Sequence, residues 1–145
     1  MTGFPDRSQQ TQDNTGQHRG LPRPCPPGTV PACDAGPVRH VKLLIHRLEI
    51  DGTDLPVALA TLMVVSRPGL DHLDWEVVAR TVGQASMELG RNELEMTVVS
   101  GADPAGAPEL SSLSGAAVVV RHPDSTVVWR GDGALVGFEE CWLDP

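Results

Sequence analysis

After residue 37, apolar and polar positions alternate every second residue in short runs rich in Val, Leu, Ile and Thr, separated by Gly, Pro, Asp and Ser. A two-residue period puts successive side chains on opposite faces of an extended chain, the pattern of a half-buried strand. Such runs occupy residues 38–50, 55–66, 93–100, 113–121 and 126–130, and residues 134–142 supply a last one. Asp51-Gly52 marks a hairpin, because both residue types tolerate positive φ, and the spacing to Pro56 predicts a looser connection than the two-residue kind. Arg67-Pro68-Gly69, a Gly/Ala/Pro loop at 101–108, His122-Pro123-Asp124-Ser125 and Gly131-Asp132-Gly133 punctuate the rest.

Residues 71–90 carry two periods at once. As a helix they would start at Asp71, align Trp75, Val78, Val82, Ala85 and Leu89, and stop at Gly90. As a strand, Leu73, Trp75, Val77, Ala79 and Thr81 face one way while His72, Asp74, Glu76 and Arg80 face the other. Four β-branched residues (Val77, Val78, Thr81, Val82) and Gly83, which would cost a helix interior about 1 kcal/mol, favour a strand over 73–82 with a helical turn at 84–89. The expected fold is mainly β, a small antiparallel β-sandwich or partly open barrel of six or seven strands with at most that one short helix.

Residues 1–37 lack any recurrent apolar face and are rich in Pro, Gly, Gln and Thr, so nothing there offsets the entropy of ordering the backbone. They are expected to form a disordered arm, either a tether or a docking peptide carrying the PxxP spacing around Arg23, ahead of one compact β domain at 38–145. Charge separates the same two parts. The chain is −8 at neutral pH, and from His40 onward seven Lys/Arg face sixteen Asp/Glu. With no basic stripe, no Tyr and only Phe4 and Phe138, no platform for nucleic acid is expected. The longest apolar run, 55–65, is broken by Pro56 and Thr61 and is shorter than the roughly 20 residues of a membrane span, so no membrane partner is expected. Lys42 stands alone beside ten arginines, a bias pointing to a bacterial genome of high GC content, and the polar first 20 residues point to the cytoplasm. Cys25, Cys33 and Cys141 form an odd set expected to be free thiols.

Candidate chemistry is sparse. Gly131, Gly133 and Gly137 follow a strand as nucleotide-binding glycines do, but eight residues after Gly137 leave no room for the helix and returning strand that hold a pyrophosphate, so a turn is expected and no cofactor. His72, Asp74 and Glu76 would project from one face of a strand and are the candidate metal ligands, requiring a further donor such as His46, His122 or Asp132 from another element. Glu139 and Glu140 beside Cys141 oppose an activated thiol. Neither a nucleophile elbow nor a buried carboxylate pair marks a catalytic centre. Trp75, Trp129 and Trp142 are bulky core pieces unless they converge on a pocket. Together these features predict a non-catalytic protein–protein interaction or assembly module, its partner another protein, basic in charge, or a second copy of the chain. The alternatives are a small metal-dependent enzyme built on the His/Asp/Glu strip and a carrier of a small apolar ligand between the sheets.

Overall fold

The computed structural model describes residues 36–83 and 87–143. Among these, seven strands run in chain order: β1 (Arg39–Ile50), β2 (Thr53–Asp54), β3 (Val57–Ser66), β4 (Asp74–Thr81), β5 (Arg91–Ala102), β6 (Pro108–Arg121) and β7 (Thr126–Gly131), followed by a 3-10 turn at Glu140–Trp142. The antiparallel order β1-β3-β4-β7-β6-β5 returns on itself, because β5 also pairs with β1 from Leu44↔Val99 to Ile50↔Leu94. The result is a closed six-stranded barrel with the two-residue β2 outside it, and the protein is mainly β. Among the described residues no helix is long and apolar enough to cross a membrane.

Closure depends on a division of labour along β1. Its first half pairs with β3 and its second half with β5, and the pairing to β5 shifts register between Ile45 and Arg47, leaving His46 as an extra residue. Further shifts occur at Val57/Leu59, Val99/Gly101 and Val119/Arg121. Each such bulge bends and twists its strand locally, which is how a short sheet curls far enough to meet its own edge. The free edges that an open sheet offers to another chain are therefore largely consumed by β1–β5 pairing.

Alternation fills the interior as the two-residue period demands. Strand β4 buries Trp75, Val77, Ala79 and Thr81 and turns Glu76, Val78 and Arg80 outward. Leu48, Leu62, Leu94, Val98, Val127 and Trp129 from the other strands are fully buried and join them in one core cluster. Each large apolar side chain so enclosed contributes roughly 1.5–3 kcal/mol of transfer free energy. The helical alternative for 71–90 is thus excluded over Asp74–Thr81; residues 84–86 of the expected helical turn lie outside the described residues, and Met87 to Gly90 run irregularly into β5. The arm at 1–37 lies outside them too, apart from Gly36 and Pro37, as do Cys25 and Cys33.

Three connections differ from expectation. Asp51 (φ 49°) and Gly52 (φ 78°) form a two-residue turn, since Ile50 pairs with Thr53 and Glu49 with Asp54. Both φ values are positive, as the twist of a tight hairpin requires, and the looseness expected near Pro56 appears instead as a break between β2 and β3. Strands β5 and β6 extend to Ala102 and from Pro108, shrinking the loop between them to five residues, which the Asp103 carboxylate stabilises by accepting the amides of Ala105 (2.9 Å) and Ala107 (2.8 Å). Residues 134–142 do not form a strand. Gly133 (φ 130°) and Gly137 (φ 87°) turn the chain twice, and only Val136 bridges to Ser114 before the 3-10 turn folds Leu143 into the core.

Candidate functional site

The segment after β7 is held against the start of β4 by a close approach of backbone to a ring. The Trp75 indole lies so near Gly131 and Gly115 that a Cβ on either would overlap it, and its Nε1 donates to the Gly133 carbonyl at 3.1 Å. Glycines inside strands commonly mark such contacts. The glycines of the Gly131-to-Gly137 motif therefore admit a tryptophan and turn the chain. Phe138 then stacks edge-on against Trp142, their centroids 5.4 Å apart at 85°. Trp75 and Trp129 are core residues while Trp142 packs at the periphery, so the three tryptophans line no common pocket.

Between these two walls runs an outward-opening groove of about 610 Å³, lined by Asp71, His72, Leu73 and Asp74 on one side and by Asp132, Ala134, Leu135, Phe138 and Glu140 on the other. Its lining mixes the apolar Leu73, Leu135 and Phe138 with four carboxylates, Asp71, Asp74, Asp132 and Glu140. Asp74 is paired outward with Arg67 (3.1 Å) and Asp132 with Arg91 (3.1 Å), while Asp71 and Glu140 enter no ion pair among the described residues.

The structure distributes the candidate metal ligands over two places. His72 precedes β4 and faces the groove with Asp74 and Asp132. Glu76 lines a smaller depression with Met63, Val65, Arg67, Trp75 and Arg130, which Asp74 borders as well, and sits opposite Arg130 across the β4–β7 ladder. His46 occupies the β1 bulge and His122 directly follows β6. Among the described residues no three His, Cys, Asp or Glu side chains are grouped closely enough to hold a metal ion.

Cys141 is exposed and free. Local desolvation, and then the Glu139 carboxylate that accepts its thiol at 3.5 Å, push its pKa up, so the thiol form dominates near neutrality.

Pattern reading along single strands misses a feature that the register creates. Leu110, Val99, Leu44, Thr61, Val78 and Val128 are consecutive cross-strand partners on the outer face of β6, β5, β1, β3, β4 and β7, and the bulged Val120 lies next to Val128. Leu44 is 48 % exposed, Leu110 51 %, Val120 52 % and Val78 36 %, with the half-buried Val99, Thr61 and Val128 between them, so a belt of apolar side chains reaches water around the barrel. The apolar stretch at 62–65 contributes only by half, because Leu62 and Val64 point inward. Each belt residue looks unremarkable in its own strand; only the pairing aligns them. No protein-family model, curated protein or solved structure matches the chain.

Proposed function

We propose that this barrel is a non-catalytic protein–protein interaction or assembly module, working in the cytoplasm of a bacterium. The observation that carries the proposal is the belt: a closed barrel whose interior is already filled by its own side chains gains nothing from apolar residues on the outside. Water-facing apolar surface beyond scattered single residues is characteristic of a contact face. The alignment of Leu44, Val78 and Val128 with Thr61 between them makes that surface contiguous over four strands. Core residues such as Trp75, Trp129 and Leu48 occupy the space that a carried apolar ligand would need.

The test pairs the full chain with a variant carrying Leu44→Ser and Val78→Ser. Both side chains project from the outer face, so the variant keeps its β-sheet circular dichroism, with a melting temperature lowered by the loss of strand propensity at two sites but still well above the assay temperature. Sedimentation velocity reports self-association, and affinity capture from the native host followed by mass spectrometry reports a partner. Self-association or a retained partner that the variant loses supports the proposal. Identical sedimentation and identical captured proteins for both forms would contradict it.

A further inference from the structure

Resting on the interaction-module proposal, a second surface can be given a chemical occupant. We infer that the groove between Asp71–Asp74 and the segment 131–140 docks a short peptide segment of a partner protein that alternates cationic and large aliphatic side chains. Leu73, Leu135 and Phe138 offer apolar contact, and the groove's volume of about 610 Å³ is that of a pocket able to take a small-molecule-sized group such as a few side chains. No Lys or Arg lines it, whereas four carboxylates do, and two of these, Asp71 and Glu140, have no cationic partner among the described residues. Their charge remains available to an incoming cation. The surrounding domain reinforces the sign, with sixteen acidic against seven basic residues from His40 onward, so a cationic segment is steered to the rim and an anionic one is repelled.

The groove is also preformed. Trp75 hydrogen-bonds to the Gly133 carbonyl and packs against Gly131, locking one wall to the other, and little ordering free energy remains to be spent when a ligand arrives. The apolar part of the lining, from Leu73, Leu135 and Phe138, distinguishes this surface from a merely acidic face: a cation alone would satisfy the carboxylates and leave that part wet.

Fluorescence anisotropy with the full chain provides the test, using a labelled peptide of sequence Gly-Arg-Leu-Lys-Leu-Arg-Gly, a charge-only form with Ser for Leu, and an anionic form with Glu for Arg and Lys. The cationic-aliphatic peptide is expected to bind best and the anionic one not at all. Removing the unpaired rim charges in Asp71→Asn/Glu140→Gln should weaken binding at least about five-fold, consistent with two exposed ion pairs. Raising salt from about 50 to about 500 mM should weaken it as well, through screening. Amide-for-carboxylate exchange at exposed sites keeps the fold, which the melting temperature verifies, and amide shifts in a ¹⁵N spectrum should map to 71–74 and 131–140. Absence of binding, equal affinity for the charge-only peptide, or indifference to the double variant would each overturn the groove as a peptide site. None of these would touch the Leu44/Val78 result, and loss of that result with peptide binding intact would leave the groove standing alone.

Discussion

At the scale of single residues, Asp51 does more than turn the chain. Its Oδ1 accepts the Glu93 amide at 2.8 Å and its Oδ2 accepts the Asn92 side-chain amide at 2.9 Å, while Asn92 Oδ1 accepts the Trp129 indole N–H at 3.3 Å. The hairpin tip is thereby tied to β5 and through it to a core tryptophan. The Glu93 backbone N–H first, and Asn92 second, hold the Asp51 carboxyl below the usual carboxylate value. A lowered folded-state pKa favours the ionised form in the native protein, so its contribution is complete above the unfolded value of about 3.9 and is lost as pH falls through the folded value. In a carbon-detected NMR titration Asp51 should titrate at lower pH than freely solvated aspartates, and Asn92→Ala should move it upward; an unmoved midpoint would remove Asn92 from the latch. Gly131 is as constrained in a different way. Gly131→Ala places a methyl in the Trp75 ring and should cost roughly 1–3 kcal/mol, as overpacking does, read as a lowered denaturant midpoint.

Elements differ in how much of them the sequence discloses. Strand β4 is legible because four β-branched residues and Gly83 weigh against a helix, and the inward set of Trp75, Val77, Ala79 and Thr81 follows at once from alternation. The span 134–142 is misread for an equally physical reason. Val136 and Phe138 alternate with Leu135 and Gly137 as strand residues would, but Gly133 and Gly137 adopt positive φ, which a run of extended backbone excludes. The Asp-Gly turn is visible as a turn, whereas the latch from Asp51 to Asn92 joins residues 41 apart and has no local signal. The same holds for the groove. His72 and Asp74 are close in sequence, but Asp132 and Glu140 are brought near them by long-range contacts, among them Trp75, whose need for two glycines links β4 to the chain after β7. The bulge at His46 makes a sharp contrast within β1: an unbroken alternation would put Leu44 and Leu48 on one face, but the extra residue turns Leu48 inward, where it is fully buried, while Leu44 stays outside and 48 % exposed. Leu48→Ala should cost about 2–5 kcal/mol and Leu44→Ala less than about 0.5 kcal/mol by urea unfolding. Equal losses at the two positions would mean that the outer face of β1 is covered within the monomer.

For the whole molecule, closure decides where function can lie. An open sheet would offer backbone edges to a partner and a sandwich would offer space between its layers. A filled, closed barrel reserves its interior for stability and presents its outer face, here an apolar belt and an acid-rimmed groove, as the surface on which partners can act. The belt is not foretold, because its members come from six strands and only the register, including the shifts at His46 and Val120, brings them into line.

Pairing of β1 with β5 is the step on which closure and the belt both depend. Interstrand nuclear Overhauser effects measured on the full chain test it most directly. The barrel predicts cross-strand contacts between Leu44 and Val99, Ile45 and Val98, and Leu48 and Met96, with amides in this ladder protected from hydrogen exchange. Absence of those contacts, together with rapid exchange of the β1 amides at 47–50, would show an open sheet with free edges and contradict the account.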